Sequence, residues 1–106
     1  MAELTVIARA KAKAGREAEL EYAMRAVVVP SHAEPGCLRY TVHRSIGDPA
    51  SFITVGRWAC KEAMDRQMAG AHTQAPLQQI PSLLAEPPDI SVFELLLEGG
   101  SDKGRL

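Results

Sequence analysis

Residues 90–97 read Ile, Ser, Val, Phe, Glu, Leu, Leu, Leu, a run that is apolar on both sides of an extended chain. A strand of that kind needs two covers, whereas an antiparallel sheet backed by one helical layer alternates apolar inward with polar outward. Residues 52–58 add to the demand, since Ile53 and Val55 fall on the side opposite Phe52 and Trp58. The rest of the chain holds helices enough for only one face of a four-stranded sheet. The other face calls for cover from outside the chain, and a second copy, paired by a two-fold axis, supplies it with one surface serving both partners.

The elements follow from periodicity. Residues 3–11 alternate as a strand, with Leu4, Val6, Ala8 and Ala10 on one side and Thr5, Ile7, Arg9 and Lys11 on the other. Ala14 and Gly15 end it, and the good helix formers from Arg16 predict a helix to about His32, with Leu20, Met24, Val27 and Val28 as its buried stripe. Glu34, Pro35 and Gly36 close that segment, with Gly36 suited to the positive φ of a type II turn. Residues 37–44 and 52–58 then read as a hairpin around the turn cluster Gly47, Asp48, Pro49. A second helix is expected over 60–68, with Ala63, Met64, Gln67 and Met68 at helical spacing. Gly70 punctuates it, and a shorter helical stretch runs over 72–84 with an interruption near Pro81. Pro87 and Pro88 force an extended approach to the last strand.

The order strand, helix, strand, strand, helix, strand is the split βαβ arrangement, an α+β fold with strands one and three side by side in the middle of an antiparallel sheet. One domain is expected over 1–98, and residues 99–106, rich in Gly, Ser and charge, read as a flexible tail.

Composition narrows the function. Twelve basic residues are scattered among thirteen acidic ones for a net charge of −1, so no concentrated basic face awaits nucleic acid. No apolar run is long enough to span a bilayer and the first residues hold no apolar signal core, so neither membrane nor export is expected and the protein reads as cytoplasmic. Cys37 and Cys60 lack metal or dithiol spacing and read as half-buried thiols. Glycine-rich phosphate loops, nucleophile elbows and histidine pairs at metal spacing are all missing, so no cofactor is expected.

A sheet covered by amphipathic helices has its natural cavity between the two layers, where strands two and three meet the second helix. Trp58 ends strand three with a large flat surface, useful to a ligand or as a plug of the core. Tyr40 carries a phenol that could orient a ligand, although an ordinary phenol, with its pKa near ~10, is a poor base. His72 follows the Gly70 break at the mouth of the expected cavity and is the histidine best placed for proton transfer. His43 shares the strand-two parity of Arg39 and Thr41, and His32 suits the carbonyl end of the first helix. Arg57 could grip an anionic ligand or pair across a dimer, and Met64, Gln67 and Met68 would line the cavity from the second helix.

Taken in order, the opening strand with Gly15, the run Glu34, Pro35, Gly36, Cys37 with Tyr40 behind it, Arg57 and Trp58 leading into a helix, and Ala71, His72 after the helix break resemble the antibiotic biosynthesis monooxygenase family over about residues 3–97. The resemblance implies a ferredoxin-like protomer in a dimeric α/β barrel, a homodimer with a small-molecule pocket in each subunit. It further implies cofactor-independent oxygenation of a small electron-rich aromatic or quinol, with Trp58 and Tyr40 shaping the ligand site and His72 accepting the proton. Relatives carry Glu where this chain has Gly56, and His where it has Gln67. Those departures favour the alternative of a non-catalytic dimeric binder of the same fold; an isomerase of a small metabolite is a further alternative. The haem-degrading branch uses an Asn on strand one, and Ile7, Ala8 and Arg9 offer none.

Overall fold

The computed structural model describes residues 3–100 and 102–104. Its elements are β1 (Leu4–Lys11), α1 (Glu17–Arg25), α2 (Val28–Ala33), β2 (Cys37–Arg44), β3 (Ser51–Trp58), α3 (Lys61–Ala69), α4 (Ala71–Leu77), a single 3-10 turn (Pro81–Leu83) and β4 (Asp89–Glu94). The strands form one antiparallel sheet in the order β2-β3-β1-β4, so the expected ferredoxin-like α+β arrangement, with strands one and three central, is the fold observed. Of the tail expected over 99–106, Ser101, Arg105 and Leu106 lie outside the described residues, as do Met1 and Ala2.

The register sets which side chains share a face. Leu4, Val6, Ala8 and Ala10 of β1 lie opposite Trp58, Gly56, Thr54 and Phe52 of β3, and Tyr40 and Val42 of β2 lie opposite Gly56 and Thr54. This is the side on which α1 packs: Leu20, Ala23 and Met24 form the core with Phe52, Ala12, Leu83 and Leu84, and with Ala10 and Val42 at its edge. The opposite face carries Thr5, Ile7, Ile53, Val55 and Arg57, together with Arg39, Thr41 and His43 of β2.

Three expectations about the backbone need correction. The first helix is two helices, broken at Ala26 and Val27. Pro30 is the cause, since it has no N–H to give the carbonyl four residues back, that of Ala26, and its ring crowds that carbonyl. Gly36 does not adopt a positive φ; among the described residues only Gly15 (φ 82°) and Gly99 (φ 75°) do. Its lack of a side chain serves close packing, because a Cβ there would overlap Cβ of Ala63 on α3. Finally, β4 stops at Glu94 and not at Leu97, because Glu94 pairs with Leu4, the first residue of β1, and among the described residues no strand continues beside the chain beyond it.

The apolar residues that called for two covers remain uncovered along this edge. Ile90, Val92 and Phe93 are 63%, 53% and 50% exposed. None of the helices among the described residues is long and apolar enough to cross a membrane.

Candidate functional site

Between the sheet and α1 lies an apolar cavity of about 190 Å³. Its floor is Ala8 and Ala10 of β1, Thr54 of β3 and Tyr40 of β2; Met24 and Val27 roof it. Leu77 of α4, Ile80, Pro81 and Leu84 make the far wall, and the mouth opens past Pro88 and Ile90 beside β4. The space exists because β1, a central strand, offers two methyl groups where its preceding inward positions are Val6 and Leu4. That pair of alanines is the sequence signal for the cavity, and reading it as mere strand alternation misses it.

Tyr40 and Thr54 are polar groups on the cavity floor, and Arg9 also borders the space. Burial pushes the Tyr40 phenol above the ordinary range, a hydrogen bond with the Thr54 side chain pulls it part of the way back, and Cys37 nearby adds a further push upward. The group is therefore a neutral phenol across the physiological range, a donor and orienting group rather than a base. Thr54, 7% exposed, was not among the residues expected at the site. Its parity with Phe52 and Trp58 was the available clue.

Of the expected site residues, Tyr40 alone is on the cavity wall. Trp58 is close by but sealed, 1% exposed, with its ring edge-on to Tyr40 at a centroid separation of 6.4 Å. It fills the room above Gly56, since a Cβ on Gly56 would come within 2.9 Å of the indole Nε1 and 3.2 Å of Tyr40 Cδ2. The absent side chain at position 56 is thus a packing requirement of Trp58. Burying an indole of that size contributes about 4–6 kcal/mol by area.

Gln67 is buried and committed elsewhere. With its amide oriented to satisfy both ends, Nε2 donates to the Pro30 carbonyl at 3.1 Å, while Oε1 accepts from the Ser31 side chain at 2.9 Å and from the Thr73 hydroxyl. The side chain therefore joins α3 to α2 and to the start of α4. Met64 and Met68 are half-buried on α3, away from the wall around Tyr40.

His72 is exposed on the first turn of α4 and borders a separate open cleft of about 440 Å³ with Glu34, Arg66 and Gln67. Arg66 there donates to Glu34 at 2.8 Å and holds that carboxyl below its usual range. His43 points to the other face of the sheet, where its ring nitrogen is 2.8 Å from the Thr41 hydroxyl. Arg57 shares that face and forms a 2.8 Å ion pair with Glu3, with only 5% of its side chain exposed. His32, at the end of α2, reaches the Tyr40 carbonyl at 3.0 Å and so ties the helix to β2. Both cysteines are half-buried, and burial raises the Cys37 thiol.

An independent comparison agrees with the sheet order: residues 3–78 fit the model of the antibiotic biosynthesis monooxygenase family. The chain belongs to that family. Among solved structures, PA3566 from Pseudomonas aeruginosa has 31% sequence identity and a TM-score of 0.83 over 91% of this chain and 96% of that one. Rv0793 from Mycobacterium tuberculosis shares the fold at a TM-score of 0.85, with 24% identity over 92% of this chain and 99% of that one. SnoaB, a cofactor-independent oxygenase from Streptomyces nogalater, shares the fold at a TM-score of 0.77 with 20% identity, over 88% and 92% of the two chains. The protein sll1783 of Synechocystis is 24% identical over 92 residues, which are 87% of this chain and 63% of that protein. This member of the family thus spans less than two thirds of that relative.

Proposed function

We propose that this antibiotic biosynthesis monooxygenase relative takes a small electron-rich aromatic or quinol into the cavity beside Tyr40 and supports its oxygenation without metal or flavin. The carrying observation is an apolar cavity with one mouth, whose floor presents a protonated phenol beside Thr54. A substrate oxygen seated against Tyr40 receives its hydrogen bond, which favours the ionised form of the substrate, because a donor worth little in water gains strength in a dry site. The ionised ring gives one electron to dioxygen, and the radical pair joins as a carbon–oxygen bond. Loss of water then leaves a new carbonyl: one oxygen atom stays in the product, and the other departs as water with the single hydrogen of the reacting ring carbon and one proton taken back from solvent in place of the one the substrate hydroxyl gave up. Among the described lining residues there is no histidine or carboxylate, so the substrate proton leaves to water through the mouth beside Pro88.

That same observation favours a second reading, a dimeric binder of a small apolar metabolite that turns nothing over. Oxygen uptake with a panel of quinols under metal-free conditions separates the two. The oxygenase consumes oxygen in step with substrate and loses most of that rate in Tyr40→Phe. A binder gives a rise in melting temperature with no uptake, and that outcome sinks the catalytic proposal.

A second copy belongs to the same proposal. Its support is the apolar edge of Ile90, Val92 and Phe93, which one chain leaves half exposed or more. Sedimentation at micromolar concentration should find a dimer, and a well-behaved monomer would overturn this part.

A further inference from the structure

We infer that Trp58, which does not touch the ligand space, sets its length and restricts the site to single-ring substrates. This rests on the proposed use of the Tyr40 cavity and names the size class it admits. Along the helix-covered face of the sheet the layers run Ala8 with Thr54, then Val6 with Gly56, then Leu4 with Trp58, each step advancing about 7 Å. The cavity lies over Ala10, Ala8 and Thr54 and is ended by Tyr40, which pairs with Gly56 of the second layer. In the second layer β3 has no side chain at all, and the cavity would continue over Gly56 were that space empty. It is filled from the third layer: the Trp58 indole folds back until Nε1 comes within 2.9 Å of where a Gly56 Cβ would be. The ring is fully buried and meets Tyr40 edge-on at 6.4 Å, so Tyr40 is at once the inner wall of the cavity and the face on which the plug rests.

The remaining volume matches one ring. A dry apolar cavity of about 150 Å³ accepts benzene, whereas sites for larger ligands run to about 300 Å³ and beyond. At about 190 Å³ this cavity takes one ring with small substituents. A fused three-ring ligand would need the layer that Trp58 occupies.

The test uses anaerobic calorimetry with methylhydroquinone as the one-ring probe and anthrone as the three-ring probe, with thermal melting as the check on folding. The native protein should prefer the one-ring probe by about tenfold or more. Trp58→Leu should lower that preference by about tenfold through tighter anthrone binding, while one-ring affinity changes by less than about threefold. Should Trp58→Leu fail to fold, Trp58→Phe opens less space and should shift the preference in the same direction. Gly56→Ala pushes on both rings and should weaken the one-ring probe. An unchanged preference in a folded Trp58 variant, or equal binding of both probes by the native protein, would overturn the inference. Oxygen uptake separates this from the oxygenase reading: size preference without uptake sinks only the latter, and uptake with unaltered preference sinks only the former. A folded native protein that binds neither probe overturns both.

Discussion

Tyr40 and Gln67 are both polar side chains drawn under the same layer of helices, yet they differ in what is left over. Gln67, 6% exposed, spends both ends of its amide on α2 and α4. Tyr40 has Thr54 as its side-chain hydrogen-bonding neighbour and an apolar space of about 190 Å³ beside it. Burial of a polar group therefore does not mark a site. What marks it is unfilled room next to a group that still has hydrogen-bonding capacity.

The contrast breaks most readily at Gln67. Gln67→Ala removes the tie between three helices and leaves a void, and should cost about 2–4 kcal/mol. Urea unfolding should register that loss while affinity for the one-ring probe stays within about twofold. A loss under ~1 kcal/mol would mean that the network is not a tie. Tyr40→Phe should do the reverse, weakening the one-ring probe about tenfold while stability changes by about 1 kcal/mol or less. Unaltered affinity would remove Tyr40 from the site.

Alkaline unfolding sharpens the same contrast. The folded state holds the Tyr40 proton more tightly than the unfolded chain does, so the stabilisation this gives is complete below the unfolded phenol value of about 10 and fades as pH rises through the higher folded value. Melting temperature should fall above that pH, and less steeply in Tyr40→Phe. Identical slopes would mean that Tyr40 is not held protonated by the fold. The smallest effect is expected at His72, exposed and on another cleft. His72→Ala should alter stability by less than about 0.5 kcal/mol and leave binding and oxygen uptake unchanged. Lost uptake would reinstate it as the proton acceptor.

Strand order and facing were legible because a period of two in β1 and β3 leaves little choice of register. The site was less so. Parity puts Tyr40 on the inner face, but whether Trp58 beside it meets ligand or core depends on its rotamer, which the missing side chain of Gly56 decides. Gln67 and His72 looked alike as polar residues near the helix break. The three-way contact with Pro30, Ser31 and Thr73 that separates them joins parts of the chain more than thirty residues apart in sequence, and no local pattern encodes it.

The far wall of the cavity is held at both its ends. Lys13 N–H donates to the Leu83 carbonyl and Ala85 N–H to the Lys11 carbonyl, both at 2.8 Å, while Gln67 fastens Thr73 at the start of α4. Such a span yields like a bowstring: its middle can be displaced while its ends stay put. A ligand slightly too wide would thus be felt at Gln78, Gln79 and Ile80, whose amides would exchange with deuterium faster on binding, while the Lys13 and Ala85 amides keep their native protection.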